Sequence, residues 1–71
     1  MGVICLFNRI AYYRVLRSLT QLDLACLIDC SVQSIYEYEH HLRVPSALRA
    51  AELCSALDVK FEDLFSLTPW E

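Results

Sequence analysis

The sequence predicts an all-α domain, a compact bundle of five short helices. Apolar residues make up 56% of the 71 positions, and one Gly and two Pro are the only strong helix breakers. This composition favours a packed domain over a disordered chain. Apolar residues also recur at helical spacing between short polar breaks. A chain of this length forms one domain and buries only about 60% of the surface exposed in its unfolded form.

The first two helices are predicted from apolar spacing and from a capping pattern. Residues 8–18 place Ile10 and Tyr13 among arginines at near-helical spacing. The next segment begins with Thr20, whose hydroxyl can accept from the backbone N–H of Asp23 while the Asp23 carboxylate reaches back. Because this reciprocal pattern is a capping box, we expect a short second helix to start there.

Three further helices follow, and serines are placed to cap two of them. Ser31 can cap a third helix over residues 31–39, and Ser46 can cap a fourth helix that continues to Leu57. A fifth short helix is expected over residues 61–67. In the third helix, the spacing predicts an outward side formed by Val32, Gln33, Tyr36 and Glu37, with Ile35 and Tyr38 buried.

The helices divide the chain into an apolar N-terminal segment (1–7), a domain (8–67) and a C-terminal tail (68–71). The apolar start is much shorter than the ~20 residues of a transmembrane helix. It also lacks the basic region and the cleavage site of a signal peptide. We therefore expect a cytoplasmic protein.

The cysteines and the other reactive side chains suggest neither a metal site nor an active site. Without a secretory signal, small buried thiols are a better interpretation than disulfides. The C-x3-C spacing of Cys26 and Cys30, with histidines at 40 and 41, fits a zinc site poorly. We find no nucleophile–His–acid set, no Gly-rich phosphate loop and no spaced carboxylate pair. The sequence therefore predicts no enzyme and no cofactor.

Six short motifs occur in one order along the chain. They are R-S-L-T-Q at 17–21, L-A-x-x-I at 24–28, S-x-x-S-I at 31–35, Glu39, R-x-P-S at 43–46 and A-L-D-V-x-F-E-D-L-F at 56–65. In this order they resemble the helix-turn-helix domain of the phage repressor and Cro family, also called the XRE family, over about four fifths of the chain. The resemblance implies a lambda-repressor-like DNA-binding fold.

The resemblance also implies DNA-contacting roles, with the third helix lying in the major groove. Gln33 would suit adenine, Glu37 could accept from cytosine N4, and Val32 could pack on a thymine methyl group. Gln21, Ser34, Tyr36 and Arg43 would contact the phosphate backbone, with Arg43 as the best anchor and Arg17 as a helper.

Two scaffold features follow from the same resemblance. Arg14 and Glu39 occupy the positions of an ion pair that pins the third helix to the first. Asp29, His41 and Asp58 stand where the family usually has Gly, so we expect left-handed backbone conformations there.

The charge balance and the apolar residues near both ends of the chain bear on two functional hypotheses. The net charge is −3, whereas DNA-binding domains normally carry a basic surface. We therefore expect weak binding per monomer and a homodimer that reads a palindromic operator in double-stranded DNA. The expected dimer contacts are Phe61, Leu64, Phe65, Leu67 and Trp70. The alternative is a protein-interaction module, a modulator or antirepressor that binds another regulator protein instead of DNA.

Overall fold

The computed structural model describes residues 7–68, and within them the predicted five-helix, mainly α architecture is confirmed. Among these residues, no helix has the length and apolar character needed to cross a membrane. The helices are α1 (Ile10–Leu16), α2 (Gln21–Leu27), α3 (Val32–Glu39), α4 (Ala47–Leu57) and α5 (Phe61–Leu64).

The predicted N-caps of three helices are present. The Thr20 hydroxyl accepts from the Asp23 N–H at 3.0 Å, and the Thr20 N–H donates to the Asp23 carboxylate at 2.8 Å. The Thr20 backbone N–H, followed by its hydroxyl, lowers the pKa of Asp23 below its usual value of 3.8. Ser31 and Ser46 accept from the third backbone N–H of α3 and α4, respectively. Side-chain oxygens therefore set where these helices begin.

Left-handed residues end four of the helical segments. The expected positive φ angles are confirmed at Asp29 (53°), His41 (59°) and Asp58 (55°). Ser18, with φ of 58°, is a fourth such residue that the sequence did not predict. At this turn the Leu19 N–H bonds back to the Arg14 carbonyl at 2.9 Å, which closes α1. These turns keep the connections short enough for the helices to pack closely.

The core lies where all five helices meet. Ile35 of α3 packs with side chains of its neighbours and is fully buried, and Tyr38 is only 5% exposed. Cys30 and Cys54 pack at the edge of this core as expected, whereas Cys26 is exposed. The fully buried large side chains are Ile10, Leu24, Ile35, Leu53, Leu57 and Leu64.

A small antiparallel sheet corrects the predicted fifth helix. That helix ends at Leu64 and does not reach residue 67, because Phe65 has extended dihedrals (φ −125°, ψ 146°). Strand β2 (Phe65–Ser66) pairs with strand β1 (Phe7–Asn8). Phe7, assigned from the sequence to the N-terminal segment, thus joins the domain. Asn8 anchors the pairing, since its Nδ2 donates to the Tyr38 carbonyl at 3.0 Å.

Candidate nucleic-acid interface

Helix α3 presents one side to solvent while its other side is fixed in the core. Its buried residues, Ile35 and Tyr38, pack on the core, which orients the helix. The four residues expected to point outward do so: Val32 is 45% exposed, Tyr36 is 42% exposed, Gln33 is exposed, and Glu37 is half-buried. We call these four residues the outward face of α3: Val32, Gln33, Tyr36 and Glu37.

The ion pair expected between Arg14 and Glu39 is present and joins α1 to α3. Arg14 Nε donates to Glu39 Oε2 at 2.6 Å, and Nη2 donates to Oε1 at 3.2 Å. The Glu39 side chain is only 5% exposed. Arg14 Nη1 also donates to the Leu19 carbonyl at 2.8 Å. Such a bidentate pair has a defined geometry, so it helps to fix the orientation of α3 relative to α1.

Gln21, expected at a phosphate, instead has its amide against this ion pair. Its Nε2 donates to Glu39 Oε1 at 3.0 Å. The first residue of α2 is therefore tied to the last residue of α3. A phosphate contact by Gln21 would have to use its second N–H, because the first is already donated.

Arg17 and Arg49 bind helix C-termini within the monomer. Arg17 Nε donates to the Leu57 carbonyl at 3.0 Å, and its Nη2 donates to the Asp58 carbonyl at 3.4 Å. Arg17, expected as a helper at phosphates, therefore has its guanidinium at the C-terminal end of α4, where it caps that helix. Arg49 Nη1 similarly donates to the Ile28 carbonyl at 2.8 Å. Cations near helix C-termini stabilise the unpaired carbonyls and the helix dipole.

Arg43, expected to extend towards the DNA backbone, folds back over α3. Its Nη2 donates to Ser34 Oγ at 2.6 Å, and its Nε lies 3.5 Å from Glu37 Oε1. The guanidinium carbon is 5.0 Å from the centre of the Tyr38 ring, within the range of a cation–π contact. The Ser34 hydroxyl, expected at a phosphate, is thus occupied by Arg43 and by Ser31 Oγ at 3.0 Å. No sequence spacing indicated this arrangement.

The C-terminal end of the outward face is aromatic. The ring of His40 lies 4.1 Å from the ring of Tyr36, centre to centre. The two rings are inclined by 36° to each other, so Tyr36 packs against His40 at this end of the outward face. His41 follows in the left-handed turn and is exposed.

Two of the five expected dimer contacts belong to the core of the monomer. Leu64 and Phe65 are 0% and 3% exposed, so their side chains offer no surface to a partner. This corrects the prediction for those two residues. Phe61 and Leu67 are 55% and 67% exposed. Trp70 lies outside the described residues.

Helices α2 and α3, joined by the tight turn at residues 28–31, have the arrangement of a helix-turn-helix motif. A family model described as "Helix-turn-helix" matches residues 10–64. The chain belongs to this family, the XRE-family helix-turn-helix proteins. It is also 40% identical over 58 residues to an uncharacterized HTH-type transcriptional regulator of Methanocaldococcus jannaschii. That alignment covers 82% of this chain and 88% of the relative.

Proposed function

We propose that the protein is a small DNA-binding transcriptional regulator that inserts the outward face of α3 into the major groove. The observation that carries this proposal is the position of α3, exposed on one side and locked on the other by the core and by the Arg14–Glu39 pair. Membership of the helix-turn-helix family and the name of the relative support the same role.

The outward face offers side chains of three kinds to base edges. Gln33 carries the donor–acceptor pair that suits adenine, and Val32 can pack on a thymine methyl group. The Glu37 carboxylate can accept from a cytosine N4 amine. We propose phosphate contacts for Gln21, beside this face, and for Tyr36, at its C-terminal end.

Few cations are available to attract the DNA backbone. Four of the six cationic side chains, Arg14, Arg17, Arg43 and Arg49, already bind groups within the monomer. Because phosphate neutralisation supplies most of the non-specific affinity, one monomer should bind weakly.

We propose that a homodimer restores the affinity by linking two half-sites of a palindromic operator. Phe61 and Leu67 are the exposed apolar side chains near the C-terminal end of the described chain. Their exposure supports a dimer contact there, with Trp70 as a further contributor from the tail. A self-complementary contact of this kind relates the two copies of α3 by two-fold symmetry, which matches the symmetry of a palindromic operator.

The proposal is tested by selecting duplexes from a random DNA pool at low salt, followed by gel shifts with the enriched sequence. We expect an enriched inverted repeat that binds the wild type, and weaker binding by Gln33→Ala. Ser55→Ala, an exposed position on α4, is the matched control and should bind as the wild type does. No enrichment, with equal binding of all sequences, would contradict the proposal.

A second candidate function is a protein-interaction module that binds another regulator. The observation that favours it is the composition of α3, which has no Lys or Arg and exposes Val32 and Tyr36. In that case, adding a repressor protein would slow hydrogen exchange of the α3 backbone amides, whereas adding a DNA duplex would not. Protection of α3 by the selected duplex would exclude this candidate.

A further inference from the structure

The unexpected contact between Glu37 and Arg43 provides a hypothesis about base recognition. Arg43 is held at three points: by Ser34 Oγ at 2.6 Å, by Glu37 Oε1 at 3.5 Å and over the Tyr38 ring. A loop arginine held in this way is placed in advance beside the helix, so less side-chain entropy is lost when it meets a ligand. We call these two residues the Glu37–Arg43 pair.

The Glu37–Arg43 pair keeps unused hydrogen-bonding groups on the solvent side. Within residues 7–68, neither Glu37 Oε2 nor Arg43 Nη1 has a hydrogen-bond partner. The side chains are 30% and 50% exposed, respectively. The molecule therefore presents an acceptor directly beside a fork of donors, at the edge of the outward face of α3.

One base pair has the complementary pattern in the major groove. A C·G pair presents the cytosine N4 donor next to two successive acceptors, guanine O6 and N7. An A·T pair presents a donor between two single acceptors, so a guanidinium beside the carboxylate would find only one acceptor. The order of one acceptor followed by two donors in the Glu37–Arg43 pair therefore fits C·G better than A·T. The same order places the cytosine at Glu37 and the guanine at Arg43.

The charge of the Glu37–Arg43 pair also favours a position near the bases. A lone carboxylate in the groove is repelled by the phosphates, whereas a carboxylate beside a guanidinium forms a pair with no net charge. Arg43 thus removes the electrostatic obstacle to placing Glu37 near the bases. Its guanidinium also lies over α3, so it is closer to the edge of the reading helix than an arginine extended towards the backbone would be.

We infer that the Glu37–Arg43 pair reads a single C·G base pair, with Glu37 accepting from cytosine N4 and Arg43 donating to guanine O6 and N7. The inference rests on the proposed DNA-binding function and assigns Arg43 to a base edge instead of a phosphate.

The test compares the wild type, Glu37→Ala and Arg43→Ala on the selected duplex and on duplexes with single base-pair changes. We expect the wild type to prefer C·G at one position of each half-site by roughly 5- to 150-fold, the range of a good bidentate contact. Both variants should lose the preference at that same position and keep the preferences at the other positions. Gln33→Ala is the matched control, because it should change a different position.

A base analogue sharpens the assignment of Arg43. Replacing the guanine at that position with 7-deazaguanine removes the N7 acceptor and should weaken wild-type binding. The same replacement should leave the binding of Arg43→Ala unchanged.

Three results would overturn the inference. If binding is sequence-selective but both variants keep the C·G preference, the base-reading role is contradicted while the proposed DNA-binding function stands. A uniform loss of affinity by Arg43→Ala across all sequences, with the salt slope reduced by about 1, would make Arg43 a phosphate anchor. No selective DNA binding by the wild type would overturn the proposed function, and this inference with it.

Discussion

Replacing Arg14 with Met should remove a large part of the stability of the domain. Arg14 makes two hydrogen bonds to Glu39 and one to the Leu19 carbonyl. Met keeps most of the apolar stem of the side chain but none of the donors. The Glu39 carboxylate, 5% exposed, would then keep Gln21 as its remaining side-chain donor among the described residues.

The magnitude follows from the burial of the remaining charge. Breaking a buried ion pair by removing one partner costs about 3–5 kcal/mol. A domain of this size has a total unfolding free energy of roughly 4–11 kcal/mol. The urea midpoint should therefore fall by roughly 2–3 M if the m-value is about 1.5 kcal/mol/M. Urea unfolding followed by circular dichroism measures this shift directly.

Two further variants decide whether the buried charge is the cause. Glu52→Gln removes the Arg49–Glu52 pair, whose side chains are 28% and 39% exposed, and should cost less than about 1 kcal/mol. The double variant Arg14→Met/Glu39→Met should recover most of the loss, since no uncompensated charge remains. If Arg14→Met and Glu52→Gln lower stability equally, the reasoning about Glu39 is wrong.

Three other predictions follow. Arg17→Ala should lower the unfolding free energy by roughly 1 kcal/mol, because α4 loses its C-terminal cap. The same change should leave the salt dependence of DNA binding unchanged. If Arg17 contacts a phosphate instead, the slope of that dependence should fall by about 1. His41→Gly should raise the unfolding free energy by roughly 0.5–1 kcal/mol, because Gly relieves the left-handed strain. His41→Val should lower it, because a β-branched residue is disfavoured at positive φ. Thermal unfolding measures both changes. Because the folded pKa of Asp23 is lowered, its stabilising effect is complete above pH 3.8 and is lost as the pH falls through the lowered value. Asp23→Asn should therefore destabilise the domain at neutral pH, and the difference from wild type, followed by urea unfolding, should shrink in acid; a constant difference would refute the explanation.

The parts of the fold that depend on near neighbours could be predicted from the sequence. The capping box of Thr20 and Asp23 joins residues three positions apart, and the left-handed turns at Asp29 and Asp58 fall between clear apolar segments. The contact of Arg14 with Glu39 spans 25 residues, and only the family resemblance indicated it.

The parts that depend on distant contacts could not be predicted. Arg17 reaches a carbonyl 40 residues away, and nothing in its local sequence indicates that partner. Arg43 folds onto Glu37 because the loop after α3 turns back, which apolar periodicity does not reveal. Strands of two residues, such as Phe65–Ser66, are too short to show an alternating pattern. The largest differences between prediction and structure therefore lie in the partners of Arg17 and Arg43.

The exposure and orientation of α3 predict that its outward face contacts DNA. The most direct test is an NMR titration of the ¹⁵N-labelled protein with the selected duplex. We predict that the largest amide shift changes occur at Val32, Gln33, Tyr36 and Glu37, with smaller changes at Arg43. Changes confined to α4 and α5, or no change with any duplex at low salt, would contradict a DNA-contacting role of this face.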